Sequence, residues 1–218
     1  MGHEGRNRIN GRGGNDFICG GDDPDERGNK DVIFGGLGDD HIAGGGWVDH
    51  LTGSKGKDVL IGGPDKDKIY PGAGNDDVRG GLGNDFIYDT KGGADRIKGE
   101  AGKDFIVGGP GPDVLRGGAG SDGLSFGRQH DTGYESGPTN TDLEKGIAVG
   151  DGRDKIFSFE RVFGSNSRDV AYGTSGRNVF YGHRGNDDFF GRDGIDYANG
   201  GPGQDSCTDI EESDDCES

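Results

Sequence analysis

Aspartates recur along this chain at a fixed step. Asp31, Asp40, Asp49, Asp58, Asp67, Asp76 and Asp85 fall nine residues apart, and after one extra residue Asp95, Asp104, Asp113 and Asp122 resume the step. Asp16 leads the series, one repeat plus a six-residue insertion before Asp31. Every one closes a glycine-rich stretch, so carboxylates and backbone carbonyls are concentrated in the same short segments. These are hard oxygen donors. Calcium accepts about six to eight of them at about 2.3–2.6 Å, whereas magnesium is smaller and gives up its water reluctantly. Softer metals want cysteine or histidine, which the turns do not offer. Type and spacing together point to calcium chemistry.

The elements that must position these groups follow from a second series. Two residues after each aspartate stands a branched aliphatic: Ile18, Ile33, Ile42, Leu51, Leu60, Ile69, Val78, Ile87, Ile97, Ile106, Leu115 and Leu124. The first unit, Gly2–Asn10, keeps Ile9 while carrying Asn7 where aspartate belongs. Six residues of turn and three of strand make one unit. Glycines supply the positive φ that a tight turn requires. The strand triplet, such as His41-Ile42-Ala43, alternates faces, so the middle aliphatic points inward. Stacked units then bury one aliphatic column on each of two facing sheets. Such a thin core accounts for 50 glycines in 218 residues and a hydrophobic content of only 28%, against roughly 45–50% in ordinary domains.

Charge narrows the partners. With 24 basic and 41 acidic residues the formal charge is 24 − 41 = −17. Nucleic acid is excluded as a partner, because phosphate binding needs basic stripes. No apolar run is long enough for a membrane span. A disordered polyanion and a repeat fold with counter-cations remain, and the periodicity favours the second.

Written out, Gly35–Ala43 reads GGLGDDHIA, Gly80–Tyr88 reads GGLGNDFIY and Gly117–Ser125 reads GGAGSDGLS. These resemble the G-G-x-G-x-D-x-U-x nonapeptide of hemolysin-type calcium-binding (RTX) proteins. The resemblance covers Gly2–Ser125 and returns in Gly164–Thr208. It implies an all-β fold, a parallel β-roll (β-solenoid) in which two repeats complete one coil and Ca2+ ions lie between turns two repeats apart. Carried over, one ion joins Asp40 and the carbonyls of Gly36 and Gly38 to Asp58 and the carbonyls of Gly53 and Lys55. The next shares Asp58 with Asp76 through the carbonyls of Ser54, Gly56, Pro71 and Ala73. Extended along both edges, the implied ligands include the carboxylates of Asp16, Asp31, Asp49, Asp67, Asp85, Asp95, Asp104, Asp113 and Asp122, and those of Asp169, Asp187, Asp196 and Asp205. The implied backbone ligands lie at Gly45, Gly62, Pro64, Gly72, Gly74, Gly80, Gly81, Gly83, Gly99, Ala101, Gly108 and Gly117. Eight or nine divalent ions would cancel a charge of −17. Without them, rows of like charge face each other across about 4.8 Å, so ion binding and folding are expected to be one process.

The expected organisation is a first repeat block over 1–125 with thirteen repeats and an insertion near 22–27, an excursion or cap over 126–163, a second block over 164–208, and an acidic C-terminal cap over 209–218. In the excursion, Asp131 is a leftover aspartate, Gly150–Ile156 looks like a degenerate turn, and Lys155–Phe163 alternates as one strand would. In the second block Asp169, Asn178, Asp187, Asp196 and Asp205 step by nine, with Ala171, Phe180, Phe189, Ala198 and Cys207 inward. Sites using Asn178 should be weak or empty. Counting nine further puts Asp214 in phase and Cys216 inward beside Cys207, a pair placed to form a disulfide that pins the cap. Cys19 has no evident partner. A cap disulfide and calcium-dependent folding fit an oxidising, extracellular compartment. The chain opens MGHEGRN without an apolar leader and already in repeat phase, which suggests a piece of a longer secreted precursor.

Other motifs weigh less. Gly123-Leu124-Ser125-Phe126-Gly127 matches the G-x-S-x-G elbow of esterases, but that elbow needs a strand-to-helix turn, and Leu124 belongs to the core column. His41 and His50 should lie on opposite faces, and His3, His130 and His183 lack metal-ligand spacing. Trp47 replaces a turn glycine. It is expected to pack locally over its turn; the alternative is an exposed contact for sugar or a partner, in a patch with Phe34, Tyr70 and Tyr88. The expected function is a non-enzymatic, secreted calcium-binding module in a structural, adhesive or carrier role. The alternatives are an enzyme or polysaccharide-binding accessory with its active surface in 126–163, and a disordered acidic calcium buffer. Expected partners are calcium, a cell-surface or polysaccharide partner, and a second copy through end-to-end self-association of open sheet ends.

Overall fold

The computed structural model describes residues 5–21, 30–126, 137–150 and 152–217. The insertion near 22–27, Asp131, His3 and His130 lie outside the described residues. Among the described residues every regular element is a strand. In chain order they are β1 (Arg8–Gly13), β2 (Phe17–Gly21), β3 (Val32–Leu37), β4 (His41–Gly45), β5 (His50–Lys55), β6 (Val59–Gly63), β7 (Lys68–Ala73) and β8 (Asp77–Leu82). There follow β9 (Phe86–Tyr88), β10 (Arg96–Gly102), β11 (Phe105–Val107), β12 (Val114–Gly120), β13 (Gly123–Ser125), β14 (Asn140–Asp142), β15 (Ile147–Val149) and β16 (Arg153–Phe157). The last are β17 (Arg161–Phe163), β18 (Val170–Tyr172), β19 (Val179–Tyr181), β20 (Asp188–Phe190), β21 (Tyr197–Asn199), β22 (Ser206–Thr208) and β23 (Glu212–Asp214).

Successive strands alternate between two sheets, so two repeats make one coil. One sheet runs β1-β3-β5-β7-β9-β11-β13-β17-β19-β21-β23, and the other β2-β4-β6-β8-β10-β12-β16-β15-β14-β18-β20-β22. This is an all-β parallel solenoid of about ten coils. The register stacks like on like: Ile33 on Leu51, Leu51 on Ile69 in one sheet, Ile42 on Leu60, Leu60 on Val78 in the other. Those aliphatics are fully buried between the sheets. Burying each contributes about 1.5–3 kcal/mol.

The nine-residue path breaks between β13 and β18. Here β14 lies beside β18, and the chain turns back through antiparallel β15 to β16, which lies parallel beside β12. One sheet therefore carries two strands more than the other at this level. The core divides at the same place, with Phe126, Ala148, Ile156 and Phe159 closing the first cluster, Val162 opening the second and Leu143 packing against both. Lys155–Phe163 is not one strand. Its first part is the end of β16 and its last part is β17, one in each sheet, because Ile156 and Val162 both take inward places in the coil.

In the last coils the inward residues alternate in size. Phe180 stacks on Ala198 in register and Ala171 on Phe189, while the Phe180 and Phe189 rings lie 5.5 Å apart across the roll. Cys207 and Cys216 form a disulfide with Cα atoms 5.9 Å apart, and exposed Cys19 is free. The phase that predicted this pair is corrected, however. Ser213, not Cys216, lies opposite Ala198, and Asp214 lies opposite Asn199 with its carboxylate on the Tyr197 hydroxyl at 2.6 Å. The final coil is three residues shorter than the repeat, so Glu211 takes the acid's place.

The core column sets an expected cost. Leu60→Ala should destabilise the calcium-loaded protein by about 2–5 kcal/mol in urea unfolding, while Phe17→Ala, at 83% exposure, should change it by less than about 0.5 kcal/mol. Equal effects would mean that these columns are not the core.

Candidate metal-binding turns

Each turn ends in an aspartate whose two carboxylate oxygens meet different fates. Oδ1 accepts the backbone N–H of the aspartate one coil earlier. Asp40 donates to Asp58 and Asp58 to Asp76, each at 2.8 Å, while on the opposite edge Asp49 donates to Asp67 at 2.7 Å and Asp67 to Asp85 at 2.8 Å. The ladders continue through Asp95 to Asp113, and through Asp104 to Asp122. Oδ2 has no such partner. In Asp16, Asp40, Asp49, Asp58, Asp67, Asp76, Asp85, Asp95, Asp104, Asp113 and Asp122, and again in Asp187, Asp196 and Asp205, this atom is buried without a hydrogen bond.

A carbonyl stands beside most of these orphans. The bare α-carbon of Gly35 faces both Asp40 Oδ2 and the Gly53 carbonyl of the next coil, and that of Gly53 faces Asp58 Oδ2 and the Pro71 carbonyl. A side chain at Gly53 would occupy the place of both oxygens. The same pairing recurs at Gly44, Gly62, Gly80, Gly99 and Gly117. Farther along the turn Gly56, at φ 136°, lets its α-carbon approach the Gly38 carbonyl. Trp47 and Ser54 adopt the same left-handed region at φ 75° and 92°.

Burial acts on these acids as expected for oxygens stripped of water. It raises Asp49, Asp76, Asp85, Asp95, Asp113 and Asp187 to about 7, Asp67 to about 8 and Asp104 to about 6. The N–H from the preceding coil pulls each back, and neighbouring carboxylates in the column push it higher. A buried, hydrogen-bond-poor carboxylate oxygen beside a carbonyl needs a proton or a cation. The donor set is all hard oxygen and fits calcium.

Not every expected ligand sits alike. The carbonyls of Lys55, Ala73 and Ala101 accept the glycine N–H one coil back, from Gly38, Gly56 and Gly83. Gly108 faces Phe126 and Leu115 of the core rather than a carboxylate, because Asp89 and Gly109 take over that part of the turn. Asp169 is already satisfied: it accepts Thr139 N–H at 2.7 Å and Oγ1 at 2.9 Å, and Ser165 N–H at 2.6 Å. Asn178 Oδ1 accepts Thr174 N–H at 2.7 Å and is no orphan. Asp31 Oδ1 accepts Asn7 N–H, so the first imperfect repeat joins the ladder.

Several acids escaped the nine-residue count. Asp154 accepts Asp113 N–H at 2.8 Å, Glu160 accepts Asp122 N–H at 2.7 Å, and Glu211 accepts Asp196 N–H at 2.7 Å. Asp154-Lys-Ile156 and Glu160-Arg-Val162 keep the acid-x-aliphatic signature, so a pattern allowing glutamate and ignoring phase would have found them. A second polar ladder runs one residue earlier, where Asn15, Asp39, Asn75, Asn84 and Asn186 each accept an N–H from the next coil.

The remaining candidates are structural. Leu124 and Ser125 are buried in β13, with Leu124 in the core column, and Gly127 lies outside the described residues. His41 and His50 lie in opposite sheets, in β4 and β5. Tyr70 and Tyr88 stack at 5.3 Å, and the ring series continues through Phe86, Phe105, Phe163 and Tyr181, but Tyr88, expected to be exposed, is buried under its neighbours.

Stacked parallel coils with two columns of buried carboxylates and glycine carbonyls define a calcium-binding β-roll. Comparison with protein families agrees: the model for the RTX calcium-binding nonapeptide repeat (4 copies) matches residues 1–26, 28–46, 48–78, 72–101, 79–113, 89–124, 98–132 and 163–198. The chain belongs to this family. Among curated proteins, none matches it.

The raised carboxyl pKa values fix the sign of a pH effect. Folding without metal binds protons, because these groups move from 3.8 to about 6–8. That stability is present below about pH 4 and is lost as pH rises through about 6–8. EDTA-treated protein should therefore gain β signal in circular dichroism between about pH 8 and pH 5, while calcium affinity falls over the same range. A metal-free spectrum that ignores pH would refute the assignment of these acids as the destabilising groups.

Proposed function

We infer that this chain is a secreted, non-catalytic calcium-binding module, folded by Ca2+ between its turns and serving a structural, adhesive or carrier role. The observation that carries this reading is the column of buried Oδ2 atoms without partners, most of them beside a backbone carbonyl of the next coil. Ions at these places would be held by the aspartates and carbonyls of adjacent coils in the two repeat blocks, and would supply charge neutralisation and oxygen cross-links. Metal binding free energy then becomes folding free energy. The 207–216 disulfide supports an oxidising, extracellular compartment.

One observation favours a partner surface. The outer aromatic series carries Lys66 over Phe86 at 4.5 Å and Lys68 over Tyr88 at 5.1 Å. Flat rings edged by cations suit a cell-surface or polysaccharide partner with acidic groups. The accessory-enzyme alternative draws less support, since Asp142 pairs with Lys145 at 2.8 Å and with Arg192 at 3.3 Å, while Asp154 and Glu160 accept ladder N–H groups.

The test is far-UV circular dichroism on EDTA-stripped protein at neutral pH, titrated with calcium and separately with magnesium. Calcium alone should produce a cooperative rise in β signal. A spectrum already folded in EDTA would give stability to the core instead of the ions. Calcium binding without any gain of structure would favour a disordered acidic buffer.

A further inference from the structure

One turn departs from the repeat in a way that changes its chemistry. Asp85 and Asp95 are ten residues apart where nine is the rule. The turn between β9 and β10 begins with Asp89, at the place where the preceding repeat has Gly80 and the following one has Gly99. In most turns that place is glycine, where an aspartate Oδ2 and a carbonyl converge on the bare α-carbon, and Pro71 is the apolar exception among the nine-residue turns of the first block. Here a carboxylate enters instead. The extra residue lengthens the turn around it. Gly109, one coil on, lacks the side chain whose Cβ would lie 2.8 Å from Asp89 Cγ.

Asp89 is fully buried, and its Oδ2 has no hydrogen-bond partner. The carboxylate draws on the Lys91 N–H, at a long 3.4 Å, and on the Gly92 N–H, and it lies against the Asp95 carboxylate. Asp95 and Asp113, 1% exposed, use Oδ1 for the ladder and likewise keep an unpartnered Oδ2. Each of the three offers a carboxylate oxygen, all within 4.8 Å of one another. One ion with ligands at about 2.3–2.6 Å spans that distance. The described ion pairs gather elsewhere, at Asp142 and Asp188.

We propose that Asp89, Asp95 and Asp113 hold one cation with three carboxylates, a turn site that Asp89 enriches by one carboxylate over the repeating turns and the tightest in the roll. Resting on the calcium-binding reading above, the assignment adds a ligand that the repeat does not contain. Ligand charge and rigidity set the affinity of oxygen sites for calcium. Three carboxylates neutralise a trivalent ion and overbalance a divalent one, so the site selects a lanthanide over calcium more strongly than its neighbours do.

The experiment titrates terbium into the full chain folded in calcium, following terbium luminescence and calcium release. Asp89→Asn and Asp89→Gly are compared with wild type, and circular dichroism in saturating calcium monitors the fold. Wild type should take up a first terbium ion at a concentration about tenfold or more below the rest. Both variants should fold in calcium and lose that first class while keeping the later ones. Folded variants that retain the tight terbium class would overturn the site while leaving the β-roll reading intact. A wild-type chain that neither binds calcium nor folds with it would overturn both.

Discussion

The turns of this roll cannot close without taking carboxylates out of water. The ladder that stacks one coil on the next uses aspartate Oδ1 as acceptor for the preceding aspartate's N–H, and this fixes Oδ2 inside the turn. Coils lie about 4.8 Å apart. Two unit charges at that separation repel by about 3–4 kcal/mol at an effective dielectric of about 20. Burying one core aliphatic returns about 1.5–3 kcal/mol. Each coil adds charges to both edges and one aliphatic to each sheet, so repulsion and core gain are of the same size. Conformational entropy still opposes folding. Protons or cations in the turns decide the outcome.

The same geometry explains why glycine dominates. Where Gly53 stands, Asp58 Oδ2 and the Pro71 carbonyl fill the volume of a side chain. The glycine serves the oxygens at least as much as the backbone dihedral. Trp47 and Ser54 illustrate the difference, since both adopt positive φ at turn places where a side chain can point away. Pro71 and Asp89 are further cases, side chains accepted at the crowded place itself, the second in a turn one residue longer.

Strict periodicity made the fold legible. A nine-residue step with the aliphatic two places after the acid fixes which residues face inward, and two repeats per coil then fix the strand register from Ile33 to Leu51 to Ile69. Legibility ended where sequence phase and spatial stacking part company. Asp154 and Glu160 occupy ladder places although the linear count is lost after Leu124, because the β14–β15 hairpin overshoots and returns. Counting forward by nine likewise misplaced Asp214, since the last coil is shortened. Asp169 reads as an ordinary repeat aspartate, yet Thr139 and Ser165 satisfy it, and Thr139 reaches it across 30 residues. No local pattern encodes that contact.

The two ends of the roll answer the charge problem differently. In the first coils the core is a single file of aliphatics, and the orphan oxygens run without interruption from Asp40 to Asp122. Beyond the hairpin, stacked Phe180 and Phe189 enlarge the core and a disulfide ties the last coil. There Asp169 is hydrogen-bonded, and Asn178 replaces a charge with a neutral amide that Thr174 satisfies. Fewer carboxylates in those coils require a counter-ion, and more of the stability comes from packing. The gradient follows from one trade. Where apolar contact and hydrogen bonds suffice, the turn can dispense with a cation, and where the core is thin, the chain must recruit one.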